Sequence, residues 1–253
     1  MSDDLKDVAH LSEVMYSAHA PGTKGGLRLN IAAVDDHYRK ESIEHIIDYV
    51  ERARQFPKVR MINVHFSPRQ WSDATQTRGK QGTYDRLVDG FRQIGRHCAK
   101  HGLEMVLENN NSYYVGIPDA EEAHKFDWTY RNACFGNSPD EWIQAALDIN
   151  LSNVGLCLDS SHACTYSHMF PAEQRKDKIL EFVKRPDLIR HVHWNDNYLY
   201  DPKGRVDNHT VLNNGTTPIE LHRTIKSLDA WLLIEHFYSI EELEGELEFI
   251  NSL

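Results

Sequence analysis

Acidic and imidazole side chains recur where predicted strands end. Asp159 and His162 follow the apolar run of residues 154–158, which is short and begins with a β-branched valine, as buried strands do. In parallel α/β folds, ligands and metals lie at the carboxyl ends of the strands. The pair therefore predicts either a metal site or an aspartate that caps the next helix with a histidine packed beside it.

Five more predicted strands end in a side chain that could bind a metal. They are residues 14–19 with His19, 59–65 with His65, 103–108 with Glu108, 188–196 with His193, and 231–235 with Glu235. A loop between the last two strands adds Asp207 and His209. Together these nine residues offer five imidazoles and four carboxylates but no thiolate, which favours Zn, Mn or Fe. One ion uses about three or four protein ligands, so the set predicts one to three divalent ions.

Helical patterns separate these strands. Residues 41–54 and 84–100 repeat apolar side chains with helical periodicity, and Ser138 followed by Pro139 predicts a helix over residues 139–150. Capping boxes at Thr217 and Ser239 predict two closing helices. Alternating strands and helices indicate a parallel sheet, in which the strand ends of a (β/α) barrel share one mouth.

The expected fold is therefore an α/β, TIM-type (β/α) barrel. Residues 1–253 form one domain in this interpretation, with residues 1–12 as a polar lead-in. Only six strands are recognisable, so the first two β/α units of such a barrel are expected to be lacking.

Other side chains are candidates for binding a substrate. Lys24 and Arg28 stand in a glycine-rich stretch that could hold an anion or could be an ordinary solvated loop. Trp128 and Arg131 belong to the irregular region 109–137, which is interpreted as a lid or as an insertion without a role in chemistry. The substrate-binding set is completed by Asn109 and Asp196.

Composition limits the partners. With 28 basic and 38 acidic residues the net charge is −10, which argues against a nucleic-acid partner and favours a small-molecule substrate. Four cysteines without C-x-x-C spacing predict a reduced, cytoplasmic protein. The N-terminus does not resemble a secretory signal, and no apolar run approaches the roughly 20 residues that span a membrane. A homodimer is expected on general grounds.

The strand-end motifs together resemble the xylose-isomerase-like TIM barrels, the superfamily that groups endonuclease IV with sugar isomerases and epimerases. The motifs are Ala18-His19-Ala-Pro, Ile62-Asn-Val-His65, Val106-Leu-Glu108-Asn, Leu158-Asp159-Ser-Ser-His162, His193-Trp-Asn-Asp196, Arg205-Val-Asp207-Asn-His209 and Ile234-Glu235.

The resemblance implies two kinds of chemistry. Similarity to the sugar isomerases and epimerases implies that one divalent metal is bound by four residues, of which the two glutamates also act as an acid/base pair. These residues are Glu108, Asp159, His193 and Glu235. Similarity to endonuclease IV implies instead that all nine residues hold a trinuclear zinc cluster for phosphodiester hydrolysis.

The sequence departs from endonuclease IV in two places, and the first of them, together with the net charge of −10, places the isomerase or epimerase first, although the nine ligands favour hydrolysis. That enzyme begins with two further β/α units, which carry DNA-contacting loops, and its turn after the Asp-x-His motif differs from Leu212-Asn-Asn-Gly215. The sequence therefore predicts a metal-dependent enzyme acting on a small sugar or sugar phosphate. Phosphodiester hydrolysis is the alternative, followed by a di-iron oxygenase and a metal-binding scaffold without catalysis.

Overall fold

Contacts along the chain divide it into two compact units. The computed structural model describes residues 10, 13–70, 78–114, 116–120, 122–126 and 133–253. The first unit contains residues 1–108, 133–135 and 144–155, and the second contains residues 109–132, 136–143 and 156–253. The single domain over residues 1–253 stays a prediction, and the polar lead-in lies outside the described residues except for His10.

The first unit contains three parallel strands, a short hairpin and two long helices. In chain order the elements are β1 (Ser17–His19), β2 (Thr23–Lys24), β3 (Leu27–Arg28), α1 (Asp36–Ala53), β4 (Met61–His65), α2 (Tyr84–Lys100) and β5 (Glu104–Glu108). β4 pairs in parallel with β1 on one side and with β5 on the other. The three predicted strands of this unit are confirmed, although each begins later than predicted.

The two helices differ in how well their sequences mark their ends. α2 spans the predicted residues 84–100, and its predicted inner face, which includes Leu87 and Phe91, is buried. α1 begins five residues before the predicted start, at Asp36, because the Asp35 carboxylate accepts a hydrogen bond from the backbone N–H of Tyr38 at 2.8 Å. A capping aspartate therefore sets the start of α1, ahead of its first apolar repeat.

The glycine-rich stretch forms a hairpin, where the sequence predicted a loop. Thr23 pairs with Arg28 and Lys24 with Leu27 in the antiparallel ladder of β2 and β3. The connecting Gly25 and Gly26 have φ values of 57° and 80°. Two successive positive φ angles suit the tight turns of two-residue hairpins, and glycine adopts them without a steric penalty.

The second unit contains the other three predicted strands. The elements that follow β5 are α3 (Pro139–Ile149), β6 (Val154–Asp159), α4 (Ser160–Ser167), α5 (Ala172–Leu180), β7 (Ile189–His193), α6 (Ile219–Ser227), β8 (Trp231–Leu233) and α7 (Ile240–Ser252). Part of α3 and the first two residues of β6 belong to the first unit, and the other elements belong to the second. β7 pairs in parallel with both β6 and β8. Every residue of β6 is buried, as its continuous apolar run predicted.

Two local predictions in this unit are corrected. The capping box at Thr217 is wrong, because α6 begins after Pro218 without a side-chain cap and the Thr217 hydroxyl instead accepts the N–H of Asn197 at 3.3 Å. β8 ends at Leu233, two residues before the predicted end, and its Trp231 side chain is 53% exposed. The capping box at Ser239 is confirmed, with its hydroxyl 3.1 Å from the N–H it accepts. None of the described helices combines the length and the apolar character needed to cross a membrane.

Candidate metal and catalytic site

In the first unit, the register of the sheet brings one glutamate and two histidines together. His65 is paired with Glu108 across β4 and β5, and His19 ends the neighbouring strand β1. His19 Nε2 lies 3.0 Å and His65 Nε2 3.6 Å from Glu108 Oε2. The ligand atoms of the three side chains all lie within 4.8 Å of one another. The sequence prediction that these strand ends converge is confirmed within this unit.

A residue that the sequence reasoning missed supports this glutamate. The side-chain amide of Asn63 donates a hydrogen bond to Glu108 Oε2. Asn63 stands two residues before His65 on β4, so both side chains lie on the same face of the strand. That alternation was visible in the sequence and could have identified Asn63.

In the second unit, Asp159, His193 and Glu235 form a compact group. Asp159 and His193 are register partners at the ends of β6 and β7, and Glu235 follows β8. His193 Nδ1 lies 3.1 Å from Glu235 Oε2 and 3.9 Å from Asp159 Oδ2. The ligand atoms of the three side chains all lie within 4.8 Å of one another. Two carboxylates and an imidazole therefore converge here, two of them from neighbouring strand ends.

Asp159 combines the two roles that the sequence left as alternatives. Its Oδ1 accepts the backbone N–H of His162 at 2.8 Å and so caps α4. Its Oδ2 faces the imidazole of His193. Capping a helix with one oxygen leaves the other directed at the group of candidate ligands, so the helix cap and a metal site are compatible.

A second group of candidate ligands adjoins Asp159. Asp207 Oδ2 lies 3.0 Å from His162 Nε2, and Asp207 Oδ1 lies 3.3 Å from His209 Nε2. His209 Nε2 is in turn 3.9 Å from Glu235 Oε2. All six predicted ligands of the second unit are thus linked by contacts below 4 Å.

The charges of this second group are strongly coupled. Burial opposes ionisation of Asp207, but the positive charge and hydrogen bond of His162, with a smaller contribution from His209, hold its pKa well below the usual range. The hydrogen bond to Asp207 raises the pKa of His209 to about 9, against the effect of burial and with help from the charges of Asp159 and Glu235. In the absence of a metal, His209 therefore carries a proton at neutral pH.

The donor set fits a divalent metal ion. Hard carboxylate oxygens and imidazole nitrogens suit Zn²⁺, Mn²⁺ and Fe²⁺. Asp159 is fully buried and Glu108 is only 1% exposed. Burying a carboxylate is costly unless a positive partner compensates, and a cation bound in each unit's group would supply that compensation.

The predicted substrate-binding residues have different surroundings. Lys24 is exposed on β2 and Arg28 is half-buried on β3, and anion binding there stays a prediction. Asn109 is buried and contacts the backbone of Asp159. The predicted Trp128 and Arg131 lie outside the described residues.

Asp196 is occupied by the backbone of the following loop. Its carboxylate accepts the N–H groups of Asn197, Asn213, Gly215 and Thr217 at 2.8–3.1 Å, and the residue is 1% exposed. A Cβ atom on Gly215 would lie 2.4 Å from Asp196 Oδ1, so only glycine fits there. The Leu212-Asn-Asn-Gly215 turn is therefore built around this carboxylate, and substrate binding by Asp196 stays a prediction.

The sequence reasoning also passed over a buried pair behind His193. Cys157 Sγ lies 3.3 Å from His191 Nδ1, and the ring centroids of His191 and His193 are 5.0 Å apart. His191 and His193 alternate along β7, so the signal was the spacing of two residues on one strand.

Comparison with known proteins fits this arrangement of strand ends. The family model of xylose isomerase-like TIM barrels matches residues 3–253. The chain belongs to this family. The TIM-type fold predicted from the strand-end motifs is therefore confirmed, and the six predicted strands are all present among the described residues.

The individual proteins and structures that resemble this chain are distant in sequence. The uncharacterized protein MJ1311 of Methanocaldococcus jannaschii is 25% identical over 258 residues, which cover 98% of this chain and 75% of MJ1311. The structure of a D-tagatose 3-epimerase-like protein has a TM-score of 0.65 at 21% identity and covers 99% of this chain and 85% of its own. D-psicose 3-epimerase with D-tagatose from Clostridium cellulolyticum H10 has a TM-score of 0.61 at 16% identity, with 100% of this chain and 84% of its own covered.

Proposed function

We propose that the chain is a divalent-metal-dependent isomerase or epimerase of a small sugar or sugar phosphate. The observation that carries this proposal is the group of Asp159, His193 and Glu235, whose ligand atoms lie within 4.8 Å of one another. The resemblance to sugar isomerases and epimerases adds Glu108 as the fourth ligand. When bound, a divalent metal would hold two oxygens of the open-chain sugar and polarise its carbonyl group.

In this proposal the two glutamates also move protons. Glu235 removes the proton from the carbon next to the carbonyl, and Glu108 returns a proton to the sugar. General acid/base catalysis of this kind typically contributes about 10²–10⁴-fold to the rate. His19 and His65, which contact the Glu108 carboxylate, would orient it and bind sugar hydroxyl groups.

The substrate class follows from relatives and from charge. The structural neighbours include a D-tagatose 3-epimerase-like protein and a D-psicose 3-epimerase bound to D-tagatose, which supports a ketose as the substrate. Lys24, Arg28 and Arg131 are the proposed contacts if the sugar carries a phosphate. All four cysteines are described and buried, and none of them forms a disulfide, which supports a reduced, cytoplasmic setting.

The test combines metal content with proton exchange. Protein purified without added metal or chelator is analysed by elemental mass spectrometry, and ketoses with and without a phosphate are then incubated in D₂O and followed by NMR. We expect one metal equivalent at the strand-end residues and deuterium at the carbon next to the carbonyl. Glu235→Gln should fold normally but abolish the exchange, because an amide cannot accept the proton. Retained exchange in this variant would exclude the proposed site.

One observation favours a second candidate, phosphodiester hydrolysis. Asp159, His162 and Asp207 also place their ligand atoms within 4.8 Å of one another, which would suit a second ion beside the first. Clustered metals can lower the pKa of a bridging water and stabilise a leaving alkoxide. Two or three equivalents of metal at the strand-end residues, together with hydrolysis of a phosphodiester and no proton exchange, would support this candidate and contradict the isomerase.

A further inference from the structure

A separate group of metal-binding side chains lies on the helices of the first unit. Glu51 stands in the last turn of α1, and His97 and His101 stand in and just after the last turn of α2. None of the three belongs to the strand-end groups described above. Their ligand atoms all lie within 4.8 Å of one another.

Helical spacing aligns the two imidazoles. Residues four apart lie on the same face of a helix, one turn above the other. The His97 and His101 ring centroids are 5.0 Å apart, and both Nε2 atoms are directed at one oxygen, Glu51 Oε1, at 2.6 and 2.9 Å. Two nitrogens from one helix and an oxygen from its neighbour therefore converge on a single point.

The distances are close to those of a metal centre. In a tetrahedral zinc site with Zn–N and Zn–O bonds of about 2.0–2.2 Å, neighbouring ligand atoms are roughly 3.3 Å apart. The contacts of Glu51 Oε1 with the two imidazoles would have to lengthen by about 0.7 and 0.4 Å to reach that spacing. Such a movement is available, because the side chains are partly exposed, at 35%, 20% and 26% for Glu51, His97 and His101.

A hydrogen bond to the second oxygen of the Glu51 carboxylate orients the first oxygen toward the histidines. Arg54 Nε donates to Glu51 Oε2 at 2.5 Å, which leaves Oε1 directed at the histidines. The hydrogen bond from Arg54, opposed by burial and assisted by the hydrogen bond from His97, lowers the pKa of Glu51 to about 2. Glu51 is therefore ionised at neutral pH, as a metal ligand must be.

We propose that Glu51, His97 and His101 form a second metal site, which binds one Zn²⁺ or a similar transition-metal ion with water in the remaining position and links α1 to α2. Its ligands differ from those of the proposed catalytic metal, so it stands whether or not the sugar chemistry is correct. Because the metal binds the folded chain, it should raise the stability of the protein.

The experiment counts zinc with and without the histidines. Metal-free wild-type protein and the double variant His97→Ala/His101→Ala are titrated with Zn²⁺ by calorimetry, and Co²⁺ spectra are recorded in parallel. We expect the variant to bind one equivalent fewer and to lose one tetrahedral Co²⁺ signal, with its sugar-directed activity unchanged. At a hundredfold excess over the dissociation constant, Zn²⁺ should raise the Tm of the wild type by about 5 °C more than that of the variant.

Two further variants keep the result interpretable. His37→Ala removes an exposed histidine from α1 that contacts Glu41, and it should bind as much zinc as the wild type. Glu51→Gln keeps the shape of the side chain while removing its charge, so it should lose the site even if the alanine variant folds poorly. Equal zinc stoichiometry in the wild type and in folded Glu51→Gln and His97→Ala/His101→Ala would overturn the proposal.

Discussion

The side-chain amide of Asn109 holds both backbone polar groups of Asp159. Asn109 Nδ2 donates to the Asp159 carbonyl at 3.0 Å, and Asn109 Oδ1 accepts the Asp159 N–H at 2.7 Å. The backbone carbonyl of Asn109 also accepts a hydrogen bond from His162 Nδ1 at 2.7 Å, so Nε2 of that ring is the nitrogen available to Asp207 or a metal. One buried asparagine thus fixes the position of one candidate ligand and the tautomer of another.

Replacing this amide should weaken the site without removing a ligand. Asn109→Asp takes away the donor to the Asp159 carbonyl and sets a carboxylate oxygen against it. We expect metal affinity or activity to fall about 10- to 100-fold, as when other groups that orient metal ligands are lost. Calorimetric metal titration and the proton-exchange assay measure the change. Asn251→Asp, an exposed substitution of the same kind, should leave both unchanged.

The number of metal ions can be tested on the Asp-x-His motif. Asp207→Ala together with His209→Ala removes two ligands of a second ion but leaves the group of Asp159, His193 and Glu235 intact. If the polynuclear model is correct, elemental mass spectrometry should show that one equivalent is lost and another kept. Metal content equal to that of the wild type would exclude a polynuclear site.

Replacing Asp196 should lower the stability of the protein more than it weakens substrate binding. Its Oδ2 accepts the N–H groups of Asn213 and Gly215, and its Oδ1 accepts two further N–H groups. In Asp196→Asn, one of these two pairs of donors would face the amide NH₂, and the other would face a neutral, weaker acceptor. Hydrogen bonds to a buried charge are worth about 1.5–3 kcal/mol each, so the free energy of unfolding should fall by roughly 2–4 kcal/mol. Urea unfolding measures this, with exposed Asp229→Asn as the control. Unchanged stability combined with weaker substrate binding would instead support the role predicted from the sequence.

His168 should make the protein sensitive to acid. Burial lowers the pKa of His168 to about 4, helped by the positive charge of Arg175, whereas the usual value is 6.5. Between these values the unfolded chain binds a proton that the native histidine does not, so stability is greatest above pH 6.5 and falls as the pH drops toward 4. A shift of this size corresponds to about 3 kcal/mol.

A conservative variant isolates this effect. His168 Nε2 donates to the Tyr198 carbonyl at 2.9 Å, and glutamine can place an N–H at the same position without titrating. The free energy of unfolding of His168→Gln, measured in urea at pH 7 and pH 4.5, should therefore fall less with acid than that of the wild type. An identical loss in both proteins would contradict the assignment.

Local sequence patterns were enough to predict the parallel strands and the best-marked helix. All six parallel strands were located by their apolar runs, and α2 was predicted to the residue because its repeat of Leu87, Phe91, Ile94 and Cys98 has no competing signal. The candidate ligands were found because strand ends in such folds point to one side. The groups of His19 with His65 and Glu108, and of Asp159 with His193, result directly from strand register.

Features that depend on partners distant in the sequence were missed. The hydroxyl of Thr217 could have capped α6, but Asn197, twenty residues earlier, donates to it instead. The sequence places Asn63 on the same face of β4 as His65, but its hydrogen bond to Glu108 depends on the pairing of β4 with β5. The apolar residues of β8 are also not buried, since Trp231, Leu232 and Leu233 are each exposed by more than 40%. A sequence pattern indicates the type of element, but it does not say what packs against it.

The buried cysteines allow local unfolding of the chain to be measured by thiol alkylation. Burial raises the pKa of Cys98 to about 12 and raises that of Cys164 further, so these thiols are protonated as well as shielded in the native state. A thiol reagent reacts with the thiolate and must reach it. Cys98 lies on α2 of the first unit and Cys164 on α4 of the second. Each would therefore be alkylated only as fast as the structure around it unfolds. Comparing the two rates would reveal whether the two units unfold together or in succession.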